Sequence, residues 1–335
     1  MKMKKLLALL LSVVLTALLT TGCDLDFSFK RANKVTSSTP SGDVIIEPSG
    51  GESTSTPLLY KVSDGDSVIW LFGSVHVGRE EFYPLPDYVL NAFNASDALA
   101  VEFDIVAFEQ DVSAASQSLM AMAYTDGSDI KDHIHPDLYE RAVNVMQDWG
   151  GYVSYYDMFM PILWAQLIEG AVYEKYDVIN YDFGVDRHLL DKAKANGKEI
   201  LEIESADFQY GMLADYSEPL QELLLSESIA LYYNNESLPD EMSTLMDLWQ
   251  SGDEDALDAA LNPTVEFSSA AEERLYNEYN DAMIVERNLN MTDFAEEALA
   301  DNNEIFICVG AAHVVGEGAM AKLLEGRGYT VEIVK

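Results

Sequence analysis

The stretch Phe72-Gly73-Ser74-Val75-His76-Val77 has a counterpart near the other end of the chain, Val309-Gly310-Ala311-Ala312-His313-Val314. Each copy follows an apolar run of strand length, Ser67 to Phe72 and Glu304 to Val309. Each then gives glycine, two small residues, histidine and valine. Glycine at a strand end permits a tight turn and close backbone approach. If the two strands lie parallel in one sheet, both imidazoles emerge at the same edge, where open α/β sheets place their ligand sites. Taken singly, either histidine reads as a hydrogen-bonded structural residue. Two copies in matching context, in a chain with five histidines, read as one shared functional site.

The segments around the first copy support a sheet. Leu59 to Val62 and Ser67 to Phe72 flank Ser63-Asp64-Gly65-Asp66, which is hairpin-turn chemistry. Pro86 to Ala95 has helical spacing, and Ala98 to Phe103 reads as a buried strand carrying Glu102 at its end. Glu102 either sits at the sheet edge in water or points into the histidine site, because a buried charge persists only when paired or metal-bound. Lys198 to Ile203 is a further short strand, and Tyr329 to Val334 a closing one. Phe108 to Tyr124, Pro136 to Trp149, Tyr155 to Tyr176 and most of residues 207–300 carry apolar residues at helical spacing. Gly316 to Leu324 reads as a helix, and if it begins close after His313 its dipole would favour a neutral imidazole there. The expected fold is α/β, a central mixed sheet with a large helical insertion covering the cleft.

The 335 residues suffice for one large α/β domain or two smaller ones. The formal net charge is −38. Such a surface repels phosphate backbones and argues against nucleic acid as a partner. Two cysteines make no disulfide framework, and Cys308 in its apolar run reads as a small core residue. His133 and His135 precede Pro136 and read as a loop and helix entry rather than a metal pair. Arg287 reads as an ordinary surface arginine, or as a site residue in a chain poor in basic side chains.

The first 23 residues form a targeting segment: Lys2, Lys4 and Lys5, an apolar run from Leu6 to Leu19, then Thr20-Thr21-Gly22-Cys23. This resembles a bacterial lipoprotein signal, with Thr20 where that pattern favours leucine. The resemblance implies export and lipidation at Cys23, hence membrane attachment outside the cytoplasm. Residues 24–57 have the Ser/Thr/Pro/Gly composition of a flexible linker, and the folded domain is expected over residues 58–335.

The ordered set Gly73 with His76, Glu102, Gly184 to Asp186, Gly197-Lys198, Glu204-Ser205, Gln209, Arg287-Asn288, Gly310 with His313, and Gly328 to Val331 resembles the TraB/GumN family, related to the Tiki metalloproteases. Ser205 stands where threonine is common. The resemblance implies a divalent-metal-dependent peptidase-type hydrolase. His76, Glu102 and His313 would be the ligands of one Mn, Co or Zn ion, two imidazoles and a carboxylate being a known catalytic set. Glu204 is the expected general base if Glu102 is a ligand, and Arg287 the expected oxyanion or carboxylate clamp. Substrates on this reading are peptides or proteins. A non-catalytic metal-, haem- or peptide-binding protein is the alternative, and a metal-free ester hydrolase with histidine as base is a third. The substrate and the oligomeric state are open.

Overall fold

The computed structural model describes residues 53–335 except residue 66, residues 177–179 and residue 235. The signal segment, Cys23 and most of the linker lie outside the described residues. Six strands form one sheet: β1 (Leu59–Asp64), β2 (Ser67–Ser74), β3 (Ala98–Val101), β4 (Glu199–Glu202), β5 (Ile305–Gly310) and β6 (Thr330–Val334), in the order β4-β3-β5-β2-β1-β6. The four strands from β4 to β2 are parallel neighbours, whereas β1 pairs antiparallel with both β2 and β6. The sheet is therefore mixed, as expected. β3 and β5 are buried along their whole length, which explains why their sequences read as unbroken apolar runs. The edge strands β4 and β6 have only exposed and half-buried residues.

The helices are α1 (Asp87–Ala95), α2 (Ile105–Gln110), α3 (Val112–Met120), α4 (Ile130–His133), α5 (Pro136–Trp149), α6 (Pro161–Tyr176), α7 (Val185–Asn196) and α8 (Ala206–Ala214). After them come α9 (Glu218–Tyr233), α10 (Leu238–Ser251), α11 (Glu254–Leu261), α12 (Ala270–Asn280), α13 (Glu286–Ala300), α14 (Ala311–Val314) and α15 (Met320–Gly326). The expected single helix from Phe108 is broken at Asp111. Its carboxylate accepts from the backbone N–H groups of Ser113 and Ala114, capping α3. α6 is buried all round from Pro161 to Tyr173 and packs along α9, the pattern of an interior helix. Between α12 and α13 a π-helical turn, Asp281–Val285, carries the helix on without a break.

Contacts with the domain begin before Leu58. Thr56 N–H donates to Gln250 O at 2.8 Å, and Tyr88 Oη donates to Pro57 O at 2.5 Å, so the end of the Ser/Thr/Pro-rich stretch packs against α10 and α1. Among the described residues no helix is long and apolar enough to cross a membrane.

Parallel pairing of β2 with β5 places Gly73 opposite Val309 and Ser74 opposite Gly310, so the two Gly-x-x-His segments leave the sheet side by side. A Cβ on Gly73 would lie 3.1 Å from Ala311 Cα, so glycine is needed there for α14 to approach β2. Trp249 of α10 donates from Nε1 to Gly73 O at 2.8 Å and packs against Phe82, which fastens the helical roof to this end of the sheet.

Candidate functional site

The carboxyl ends of β2, β3 and β5 bring His76, Glu102 and His313 to one point. A methyl group built on Gly310 would sit 3.3 Å from Glu102 Oε1, 3.5 Å from His76 Nε2 and 3.6 Å from His313 Cδ2. Gly310 is thus the floor of the site, and the absence of a side chain there leaves the three groups facing one another.

Each histidine is oriented through its Nδ1. His76 Nδ1 lies 2.5 Å from Asp186 Oδ2, and Asp186 stands in the first turn of α7. His313 Nδ1 lies 2.7 Å from Asn288 Oδ1. Asn288 Nδ2 donates to Gly318 O at 2.8 Å, so its Oδ1 is the acceptor and His313 carries its proton on Nδ1. Both rings therefore turn Nε2 inward. Partners of this kind set the tautomer and orientation of ligand histidines in metal sites.

The carboxylates are held by one arginine. Arg287 Nη2 donates to Glu102 Oε2 at 2.6 Å and to Glu204 Oε2 at 2.9 Å, while Nε donates to Glu204 Oε1 at 2.8 Å. Gln209 Nε2 bridges the same two carboxylates, and the Gly310 N–H donates to Glu102 Oε1 at 2.9 Å. The π turn contributes Met283 O as acceptor for Arg287 Nη1. Arg287 and Asn288, neighbours at the start of α13, thus serve the carboxylates and His313 respectively. Arg287 is only 4% exposed, so it is not an ordinary surface arginine.

Burial and charge act differently on each group. Burial resists ionisation of Glu102, but Arg287, the two histidines and the Gly310 N–H outweigh it and hold the carboxyl well below its usual range. For His76 burial disfavours the cation, yet Asp186 and Glu102 raise the imidazole to about 9. For His313 burial dominates, Arg287 adds to it, and the ring falls to about 3. His313 is neutral because it is buried, not because of a long helix behind it. It lies within the one-turn α14, and the next helix begins only at Met320.

His76, Glu102 and His313 form a donor set of two imidazole nitrogens and a carboxylate oxygen, which suits Zn, Mn or Co. Glu102 Oε1 and His76 Nε2 are 4.0 Å apart. Among the described residues no three His, Cys, Asp or Glu side chains are drawn close enough to hold an ion as they stand, because Glu102 is engaged by Arg287, Gln209 and Gly310. The chemistry of the donors, two imidazoles and a carboxylate, is of the kind that fits a divalent cation. Glu204 was expected as a general base. Both its oxygens are bonded to Arg287 and it does not line the cavity, so its geometry is that of an anchor for the arginine.

His133 and His135 are remote from this constellation. His133 stacks on Tyr124 and bonds Ser128 and Glu218, and His135 caps α5. Cys308 is a buried core thiol, as read from its run. Asp186, Asn288 and Gln209 had no role assigned from the sequence. Their signal was their place in the ordered motif set, inside Gly184 to Asp186, Arg287-Asn288 and Gln209.

A cavity of about 160 Å³ opens from the site. His76, Glu102, Arg287 and His313 line one part with their strand-end neighbours, and residues of α6, α8, α10, α11, α12 and the π turn line the remainder.

An α/β sheet with two strand-end histidines, a strand-end glutamate and an arginine on a late helix defines a class of two-motif domains. The chain belongs to the TraB/PrgY/gumN family, whose model matches residues 58–333. It is similar to the uncharacterized protein YbaP of Escherichia coli (strain K12), at 25% identity over 269 residues covering 80% of this chain and 92% of YbaP. The same figures hold for YbaP of Shigella flexneri, 25% over 269 residues with 80% and 92% covered. No solved structure matches the chain.

Proposed function

We propose that this protein is a divalent-metal-dependent hydrolase of the peptidase type, held at the cell envelope by a lipid on Cys23. The observation that carries the reading is the placement of His76 Nε2, Glu102 Oε1 and the inner edge of His313 around Gly310, with both Nδ1 atoms engaged by Asp186 and Asn288.

His76 and His313 through Nε2 and Glu102 through Oε1 would hold the cation. When bound, such an ion supplies Lewis acidity toward a peptide carbonyl and lowers the pKa of water. The chain's own residues prepare the place. Asp186 and Glu102 surround His76 with negative charge, and the same surroundings that hold a proton on that ring favour a cation beside it. His313 is neutral and so keeps its lone pair. Glu204 and Gln209 fix Arg287 and Glu102. Arg287 lines the cavity and has one Nη1 hydrogen without an acceptor among the described residues, which suits it to receive negative charge developing on a substrate oxygen. The cavity of about 160 Å³ is closer in size to one amino-acid side chain than to a porphyrin, which favours a peptide over haem.

Peptide cleavage by the purified chain tests this reading. It should be abolished by chelator, restored by Mn²⁺ or Co²⁺, and missing in His313→Ala; cleavage that persists in that variant would remove the proposal. The basic start, the apolar run and Gly22-Cys23 support the anchor. Cys23→Ser should release the protein from membranes or leave the precursor uncut, and fractionation identical to the parent would exclude the lipid.

A further inference from the structure

Away from the histidines the cavity is walled by Met212, Leu213, Met242, Leu245 and Ile284, an apolar lining suited to hydrocarbon. Polar groups interrupt it at a few points. Gln166 of α6 lines the cavity and is 0% exposed, and neither its Oε1 nor its Nε2 has a hydrogen-bond partner among the described residues. The hydroxyls of Tyr210 and Tyr279, two more lining residues, are buried and equally unpartnered. The fold does satisfy a buried glutamine elsewhere. Gln221, facing α6 from α9, accepts from the Ile162 N–H at 3.3 Å and donates to Tyr216 O at 2.8 Å. Native proteins leave few buried polar groups unpaired, and those that remain call for a specific account.

We propose that the cavity is a side-chain pocket for a tyrosine-type residue of the substrate, a neutral ring whose terminal hydroxyl is received by Gln166 with Tyr210 and Tyr279 beside it. The identification of the ligand as part of a peptide rests on the hydrolase reading. Size admits a ring, since an apolar cavity of about 150 Å³ accepts benzene and the whole cavity, its part at the histidines included, is about 160 Å³. Chemistry supports a neutral polar tip. A carboxamide offers one donor and one acceptor, and a phenol hydroxyl answers both. No carboxylate lines the far part of the cavity. Glu169, one turn beyond Gln166 on α6, is not among the lining residues. A site built to hydrogen-bond a substrate hydroxyl rejects the analogue lacking it, because its own polar groups are then left unpaired.

The test is binding, not turnover. Calorimetric titration of the full chain with N-acetyl-tyrosinamide, N-acetyl-phenylalaninamide and N-acetyl-lysinamide should rank the tyrosine compound about tenfold tighter than the phenylalanine one, with the lysine compound weakest. Gln166→Leu should bring the tyrosine and phenylalanine compounds to equal affinity, and its unfolding midpoint should match or exceed the parent's, because no protein hydrogen bond is lost. The same ranking after chelation would uphold the pocket even if metal-dependent hydrolysis failed. Equal affinities in the parent, a preference that survives Gln166→Leu, preference for lysine, no binding of any compound, or a midpoint several degrees lower in Gln166→Leu would each overturn the inference.

Discussion

Arg287 Nη2 lies 2.6 Å from Glu102 Oε2, and the two side chains are 5% and 8% exposed. The same guanidinium grips Glu204, so one cation is shared by two carboxylates that have little access to water. Removing it leaves both charges uncompensated. Arg287→Met should therefore lower stability by about 3–5 kcal/mol in urea denaturation at neutral pH. A loss below about 1 kcal/mol, the scale of an exposed pair, would show that the cluster is not buried as described.

Among the described residues the Asp186 carboxylate reaches the site through His76 Nδ1, at 2.5 Å. It lies in the first turn of α7 beside a glycine N-cap, so Asp186→Asn should leave the fold intact. It should weaken divalent-metal affinity by about 10–100-fold, the usual effect of losing the partner of a ligand histidine. Calorimetric titration with Mn²⁺ or Zn²⁺ measures this directly. Unchanged affinity would mean that His76 is oriented by packing and not by Asp186.

Glu169 gives the chain a pH dependence remote from the metal question. It is 1% exposed, its Oε2 has no hydrogen-bond partner among the described residues, and burial raises its carboxyl well above the ordinary 4.5. The buried group is thus protonated where the unfolded chain's carboxyl is already ionised. Its contribution is undiminished below the unfolded value of about 4.5 and turns increasingly unfavourable as pH rises toward the folded value. Glu169→Gln, neutral at every pH, should unfold at a higher temperature than the parent at pH 8 and at nearly the same temperature at pH 4.5. A difference independent of pH would contradict the assignment.

The sheet was legible because its central strands are apolar runs closed by glycine, and burial on both faces leaves that mark on a sequence. That β2 and β5 share one sheet followed from the repeated motif; that they are direct neighbours did not. What the sequence did not show is how side chains from distant helices close around the strand ends. Asp111 splits a helical stretch, because a capping carboxylate has local consequences that apolar periodicity does not register. Glu204 was the expected base if Glu102 is a ligand, and its bonds to Arg287, 83 positions away, are not visible in any local stretch of sequence. His313 was read correctly as neutral on an incorrect ground, since its burial comes from packing that no local window contains.

The central claim is that His76, Glu102 and His313 take up one divalent cation, and metal analysis of the purified chain after equilibration with Zn²⁺ or Mn²⁺ tests it most directly. The expected result is about one ion per chain for the parent. His76→Ala and His313→Ala should hold almost none, and neither should Gly310→Ala, whose methyl group would fill the point the three side chains surround. A parent chain that takes up no ion, or variants that load as fully as the parent, would contradict the account.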